Sequence, residues 1–149
     1  MDSFFLMDIL KSSMSLELAR KTGGYAAFFI AVIMLFSGIK FVFLEFTQKD
    51  AVRSLGYKVF AFFHELIGWL IVILAGYHSL YYLYYYYNIQ VMDLPKIITG
   101  LGALVCVIII ILIGKDLTAK NHRLKASYKI HVVLLVVVII LVLYHLNVR

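Results

Sequence analysis

"FFHELIGWLIVILAGYHSLYYLYYYYN", residues 62–88, is an apolar run long enough to cross a bilayer, and it carries two histidines, His64 and His78, fourteen positions apart. A spanning helix needs about 20 apolar residues. Backbone groups in hydrocarbon must be paired within the segment, so a run of this length is a helix and not a barrel strand. An ionisable side chain at such depth is costly and calls for a partner elsewhere in the chain.

The rest of the sequence has the same character. It is 64% hydrophobic and 15% charged, with a mean hydropathy of +0.97. Ordinary soluble domains are nearer about 45–50% apolar. Three further apolar stretches join the first, so the spans run roughly over 25–44, 59–87, 97–113 and 130–146. Short connections between them predict an all-α membrane protein, an up-down four-helix transmembrane bundle in which spans two and four run parallel. Residues 1–149 are read as a single domain. "MDSFFLMDILKSSMSLELARKTGG" opens with an acidic second residue, unlike a cleavable signal peptide, and residues 3–20 are expected to form a short N-terminal amphipathic helix on the membrane. In "MDLPK", Asp93 is expected to cap the third span, with Pro95 in its first turn.

A net charge of +6 and a pI near 9.4 do not indicate nucleic-acid binding, because the basic residues lie between apolar spans and form no stripe. They report topology instead. The side holding the 45–58 and 114–129 loops has nine Lys and Arg, including Lys58, Arg123, Lys125 and Lys129; the other has five, Lys11, Arg20, Lys21, Lys96 and Arg149. The positive-inside rule makes the first side cytoplasmic. Tyrosines within 81–87 read as an interfacial aromatic belt. The single cysteine, Cys106, excludes an internal disulfide, and the absence of C-x-x-C-H excludes covalent c-type haem attachment.

Span four supplies the partner: "KIHVVLLVVVIILVLYH" (129–145) carries His131 and His145, again fourteen apart. Fourteen helical residues make almost four turns and rise about 21 Å, so each pair projects from one face at two depths. In parallel spans His64 meets His131, and His78 meets His145. Two histidines per level are too few for zinc, which takes three or four protein ligands. A haem iron brings four porphyrin nitrogens and needs two axial donors, so the pattern predicts two non-covalent bis-histidine haem b groups. Gly24 and Gly38 on span one, and Gly100 and Gly114 on span three, share the fourteen-residue spacing and are expected to thin the remaining walls beside a flat ligand. Close helix packing is the ordinary alternative for such glycines.

With these residues the chain resembles the di-haem b-type membrane cytochromes, including the amino-terminal bundle of cytochrome b. In "FSGI" (36–39), "FHELIGWLIVILAGYH" (63–78) and "KIHVVLLVVVIILVLYH" (129–145) it looks most like the small flavinylation-associated cytochromes. The resemblance implies an integral, multi-pass protein of a prokaryotic cell membrane, in contact with lipid. It also implies electron transfer from quinol or a cytoplasmic-side donor to an extracytoplasmic redox protein, a flavoprotein in that subfamily. The later helices and quinol-oxidation motif of cytochrome b are lacking. An oxidoreductase acting directly on quinone or superoxide, and a non-redox membrane anchor, are the alternative readings. His122 reads as a solvated loop residue, with proton exchange at a quinone pocket as the alternative. Glu65 reads as the ion-pair partner of Lys58, with quinone proton transfer as the alternative, and the basic residues near each membrane face as candidate partners of haem propionates.

Overall fold

The computed structural model describes residues 13–46, 50–89, 93–119 and 125–147. They form four helices: α1 (Ser13–Phe46), α2 (Asp50–Ile89), α3 (Leu94–Ala119) and α4 (Lys125–Asn147). There is no strand among the described residues. Each helix is long and apolar enough to cross a membrane, over 15–39, 54–87, 94–115 and 127–147. The protein is an all-α, multi-pass membrane bundle. Helices apolar on every side belong in lipid. Large side chains such as Phe28, Leu35, Ile73, Leu112 and Ile140 accordingly stand exposed around the outside.

Named contacts fix the directions of the helices. Phe36 of α1 meets Phe60 and Phe63 near the start of α2, while Gly23 lies against His78 much further along it, so α1 and α2 are antiparallel. Gly100 and Gly114 of α3 lie against His145 and His131 of α4, a second antiparallel pair. The α2 and α3 helices touch through Gly68 and Ile111. The expected up-down order therefore holds, with α2 and α4 parallel.

Asp93 starts α3 as the sequence predicts. Its side-chain oxygen accepts the Lys96 amide at 3.3 Å, and its carbonyl accepts the Ile97 amide at 3.0 Å. These bonds satisfy two amides that a helix start otherwise leaves orphaned. The Lys96 ammonium adds an ion pair at 2.9 Å. At the other end of the chain, residues 13–20 are the first turns of α1, continuous with the span and not a separate element; residues 3–12 of the expected amphipathic helix lie outside the described residues.

One small core holds the helices together. Ile30, Ile71, Val107 and Val138, one from each helix, meet at its centre, with Val138 only 1% exposed. All four positions belong to a repeat. Moving along the chain by 77 residues carries Thr22, Gly23 and Ile30 onto Thr99, Gly100 and Val107, and moving by 67 carries His64, Ile71, Tyr77 and His78 onto His131, Val138, Tyr144 and His145. The bundle is thus one helical hairpin used twice. Its core lies seven residues, about 10 Å, from each histidine level.

Candidate functional site

The structure brings the four predicted histidines together as two pairs. His64 and His131 face each other with ring centres 6.1 Å apart, on the side of the basic loops. His78 and His145 do so at 6.0 Å, on the side of the chain termini. We refer to these as the basic rung and the terminal rung. Each pair joins α2 to α4 across the bundle, and the fourteen-residue spacing sets the rungs about 21 Å apart along the helices.

Six ångströms is a chemically informative separation. A metal bound to one nitrogen of each ring at about 2.0–2.1 Å holds the ring centres about 6 Å apart. Among the described residues, no group of three or more His, Cys, Asp or Glu side chains could hold a metal ion. Each rung therefore offers two imidazoles and, among those residues, no further donor, a set that falls short of zinc's ligand demand and suits an iron already held by a porphyrin.

Hydrogen bonds determine which nitrogen is left for ligation in three of the rings. His78 donates from Nδ1 to the carbonyl of Ala19 at 2.8 Å, and His131 donates from Nδ1 to the carbonyl of Ile110 at 3.1 Å. A carbonyl only accepts, so Nδ1 carries the proton and Nε2 the lone pair. Nδ1 of His145 lies 3.1 Å from the Thr99 hydroxyl. That hydroxyl has one proton, directed to the carbonyls of Pro95 at 2.7 Å and Lys96 at 3.2 Å, so its oxygen accepts from His145. Metal-binding histidines are commonly oriented in this way, by a partner on the nitrogen that does not ligate.

The small residues explain how the rings fit. A Cβ on Gly23 would overlap the His78 ring. On Gly100 it would stand 3.3 Å from Cε1 of His145, and on Gly114 it would stand 3.4 Å from Cε1 of His131. His78 and His131 share one seat: a glycine against the ring and, four residues before it, the carbonyl that takes Nδ1–H, at Ala19/Gly23 and Ile110/Gly114. Gly24 and Gly38, expected beside the rungs, face no histidine: a Cβ at either position would have nothing within 4 Å. Gly23 is one residue from Gly24, a turn of about 100° for a rise of only about 1.5 Å, and it is Gly23 that meets the His78 ring. The repeat gives the signal for Gly23: Thr22–Gly23 matches Thr99–Gly100, and the counterpart of Gly114 is Ser37, whose hydroxyl donates to the Ile33 carbonyl at 2.8 Å.

The other polar residues fall into place more simply. Glu65 is exposed, and among the described residues no ion pair joins it to Lys58. Seven helical residues separate the two by about 10 Å of rise, beyond a direct contact. Lys21 pairs with Glu17 at 2.8 Å, Lys96 pairs with Asp93, and Lys115 lies over the Trp69 ring at 5.6 Å. Arg20, Lys58 and Lys129 are exposed near the rungs' ends. His122, Arg123, Lys11 and Arg149 lie outside the described residues. Tyr82 sets its ring 4.9 Å from that of His78, and Tyr86 follows at 6.0 Å, within the expected belt.

A family model described as a ferric reductase like transmembrane component matches residues 22–142, a stretch that contains three of the four paired histidines. No curated protein and no solved structure matches the chain.

Proposed function

The chain belongs to the ferric reductase like transmembrane family, and from that premise we propose that it transfers electrons across the membrane through two bis-histidine haem b groups. The observation that carries this reading is the pair of rungs, each with two imidazoles about 6 Å apart and, among the described residues, no third protein donor. Haem b is the cofactor found in the family generally, and when bound it supplies a one-electron carrier at each level.

The chain's own residues provide everything else the transfer needs. His64 and His131 would hold the group at the basic rung, His78 and His145 the group at the terminal rung. The carbonyls of Ala19 and Ile110 and the hydroxyl of Thr99 keep the proton on Nδ1, leaving Nε2 as the donor. Gly23, Gly100 and Gly114 make room for the rings, and Gly24 and Gly38 leave open space on α1 at similar depths. Ile30, Ile71, Val107 and Val138 form an apolar layer between the two levels. In a hydrocarbon core about 30 Å thick, levels about 21 Å apart bring one site near each face.

Electrons enter from quinol or a donor on the cytoplasmic side, where the basic loops lie under the positive-inside rule. They leave to an acceptor outside the prokaryotic cell membrane. That acceptor is an extracytoplasmic flavoprotein if the chain is of the flavinylation-associated kind; the family's description offers ferric iron as another. Exposed basic residues at each face, Arg20 on one side and Lys58 and Lys129 on the other, are suited to haem propionates.

The test is transfer across a sealed membrane. The haem-loaded protein in vesicles is supplied with a reductant inside and a membrane-impermeant ferric acceptor outside. Acceptor reduction that is abolished by either His64→Ala or His78→Ala supports the proposal. Reduction that survives loss of one rung contradicts it. Rapid reoxidation by quinone alone, on one side and dependent on one rung, would favour direct quinone chemistry over a transmembrane route.

A further inference from the structure

The two rungs are not copies of one another: the imidazole planes are inclined by 39° at the basic rung and by 78° at the terminal rung. The two terminal rings are held differently from one another. Thr22 and Thr99 occupy equivalent places in the repeated hairpin, each immediately before the glycine that faces a terminal-rung histidine, and both are buried. Thr22 turns its hydroxyl onto the Ala19 carbonyl at 2.9 Å, and that same carbonyl receives Nδ1–H of His78. Thr99 uses its hydroxyl oxygen directly as the acceptor for His145. One terminal ring is therefore held by a main-chain carbonyl alone, and the other by the Thr99 oxygen with the Lys96 main chain beside it.

Thr99 is well suited to hold a ring at a fixed angle. A β-branched side chain has few rotamers in a helix, and a threonine hydroxyl there settles by bonding the carbonyl three or four residues earlier. Thr99 makes both bonds, to Pro95 and Lys96. Its oxygen is thus fixed with respect to the α3 backbone. A ring whose Nδ1 is tied to that oxygen, and whose edge rests on Gly100, has little freedom to rotate.

We infer that Thr99 is a positioning residue that holds His145 crossed to His78, so that the terminal-rung haem is electronically distinct from the basic-rung haem. This rests on the haem reading given above. In a low-spin ferric haem, the axial imidazole planes decide how far the two iron orbitals that overlap with them are split. Crossed planes leave these orbitals nearly degenerate and give a strongly anisotropic electron paramagnetic resonance signal. Planes closer to parallel split them and give a more rhombic one.

The experiment is low-temperature electron paramagnetic resonance of the oxidised, haem-loaded protein, with Thr99→Val and Thr99→Ser beside it. Two low-spin signals are expected, one strongly anisotropic and one rhombic, and His78→Ala should remove the anisotropic one. Thr99→Val should move that signal toward the rhombic type and leave the second unchanged, while Thr99→Ser retains both. Two low-spin signals of the same type, or an anisotropic signal indifferent to Thr99→Val, would overturn the inference and leave the di-haem reading intact. Absence of low-spin haem in the wild-type protein would overturn both.

Discussion

The ring of His78 occupies the space that a side chain on Gly23 would need, and its Nδ1 reaches the carbonyl of Ala19 one helical turn away. A ligand candidate from one helix is thereby keyed into the backbone of another. The contact ties the fit of α1 against α2 to the ability of the terminal rung to present a lone-pair nitrogen.

Gly23→Ala should consequently cost the terminal rung its haem. The added carbon cannot coexist with the ring as placed, so His78 must swing away and lose its bond to Ala19. Haem content is expected to fall from two to one per chain. Gly102→Ala, whose added carbon would make only an ordinary 3.7 Å contact with Leu141, should leave haem content unchanged, and a pyridine haemochrome assay of both variants checks the contrast.

Gly100→Ala and Gly114→Ala should have gentler effects. The new carbons would stand 3.3 Å and 3.4 Å from the nearest ring atoms, and a shift of a few tenths of an ångström relieves the contact. Disturbing the groups that orient a metal ligand commonly weakens binding by about 10–100-fold. We expect the lower end of that range, about tenfold, measured as haem loss to a competing apo-haem protein.

Val138→Ala opens a hole in the four-residue core between the rungs. Truncation of a buried aliphatic side chain costs about 1–3 kcal/mol when the surroundings cannot collapse. Val138 is almost fully enclosed by one residue from each of the other helices, so the unfolding midpoint in detergent should fall while the haem spectra remain those of the parent. An unchanged midpoint would show that the core contributes little to holding the helices together.

The start of α3 should respond to acid. The Lys96 side chain beside Asp93 holds its carboxyl below the usual carboxylate range. A lowered folded-state value means that the stabilisation is present above the unfolded pKa of about 4 and is lost as the pH falls through the lower folded value. The Lys96 amide should be protected from exchange at neutral pH and lose protection, relative to the intrinsic rate at each pH, in that acidic window. Asp93→Asn, which cannot make the ion pair, should flatten the dependence.

Much of this arrangement was legible in the residues, and the parts that were not have a common physical cause. Depth in a helix changes slowly with residue number, so the pairing of His64 with His131 and of His78 with His145 followed from spacing alone. Direction changes by about 100° per residue. Gly24 and Gly38 stand in open space without touching a ring, and Gly23 and Ser37 hold the places equivalent to Gly100 and Gly114. The Thr22–Gly23 and Thr99–Gly100 repeat carries that information. Thr99 is otherwise inconspicuous, because a threonine in an apolar helix ordinarily bonds its own backbone, and only the placement of His145 gives its oxygen a second task. The ion pair expected between Lys58 and Glu65 fails on distance along the helix.

The most direct test of the account is haem quantitation with oxidised and reduced absorbance spectra of the purified protein. Two haem b groups per chain are expected, with His78→Ala and His131→Ala each retaining one. A stoichiometry of one or none in the wild-type protein would contradict the claim that both histidine rungs bind haem.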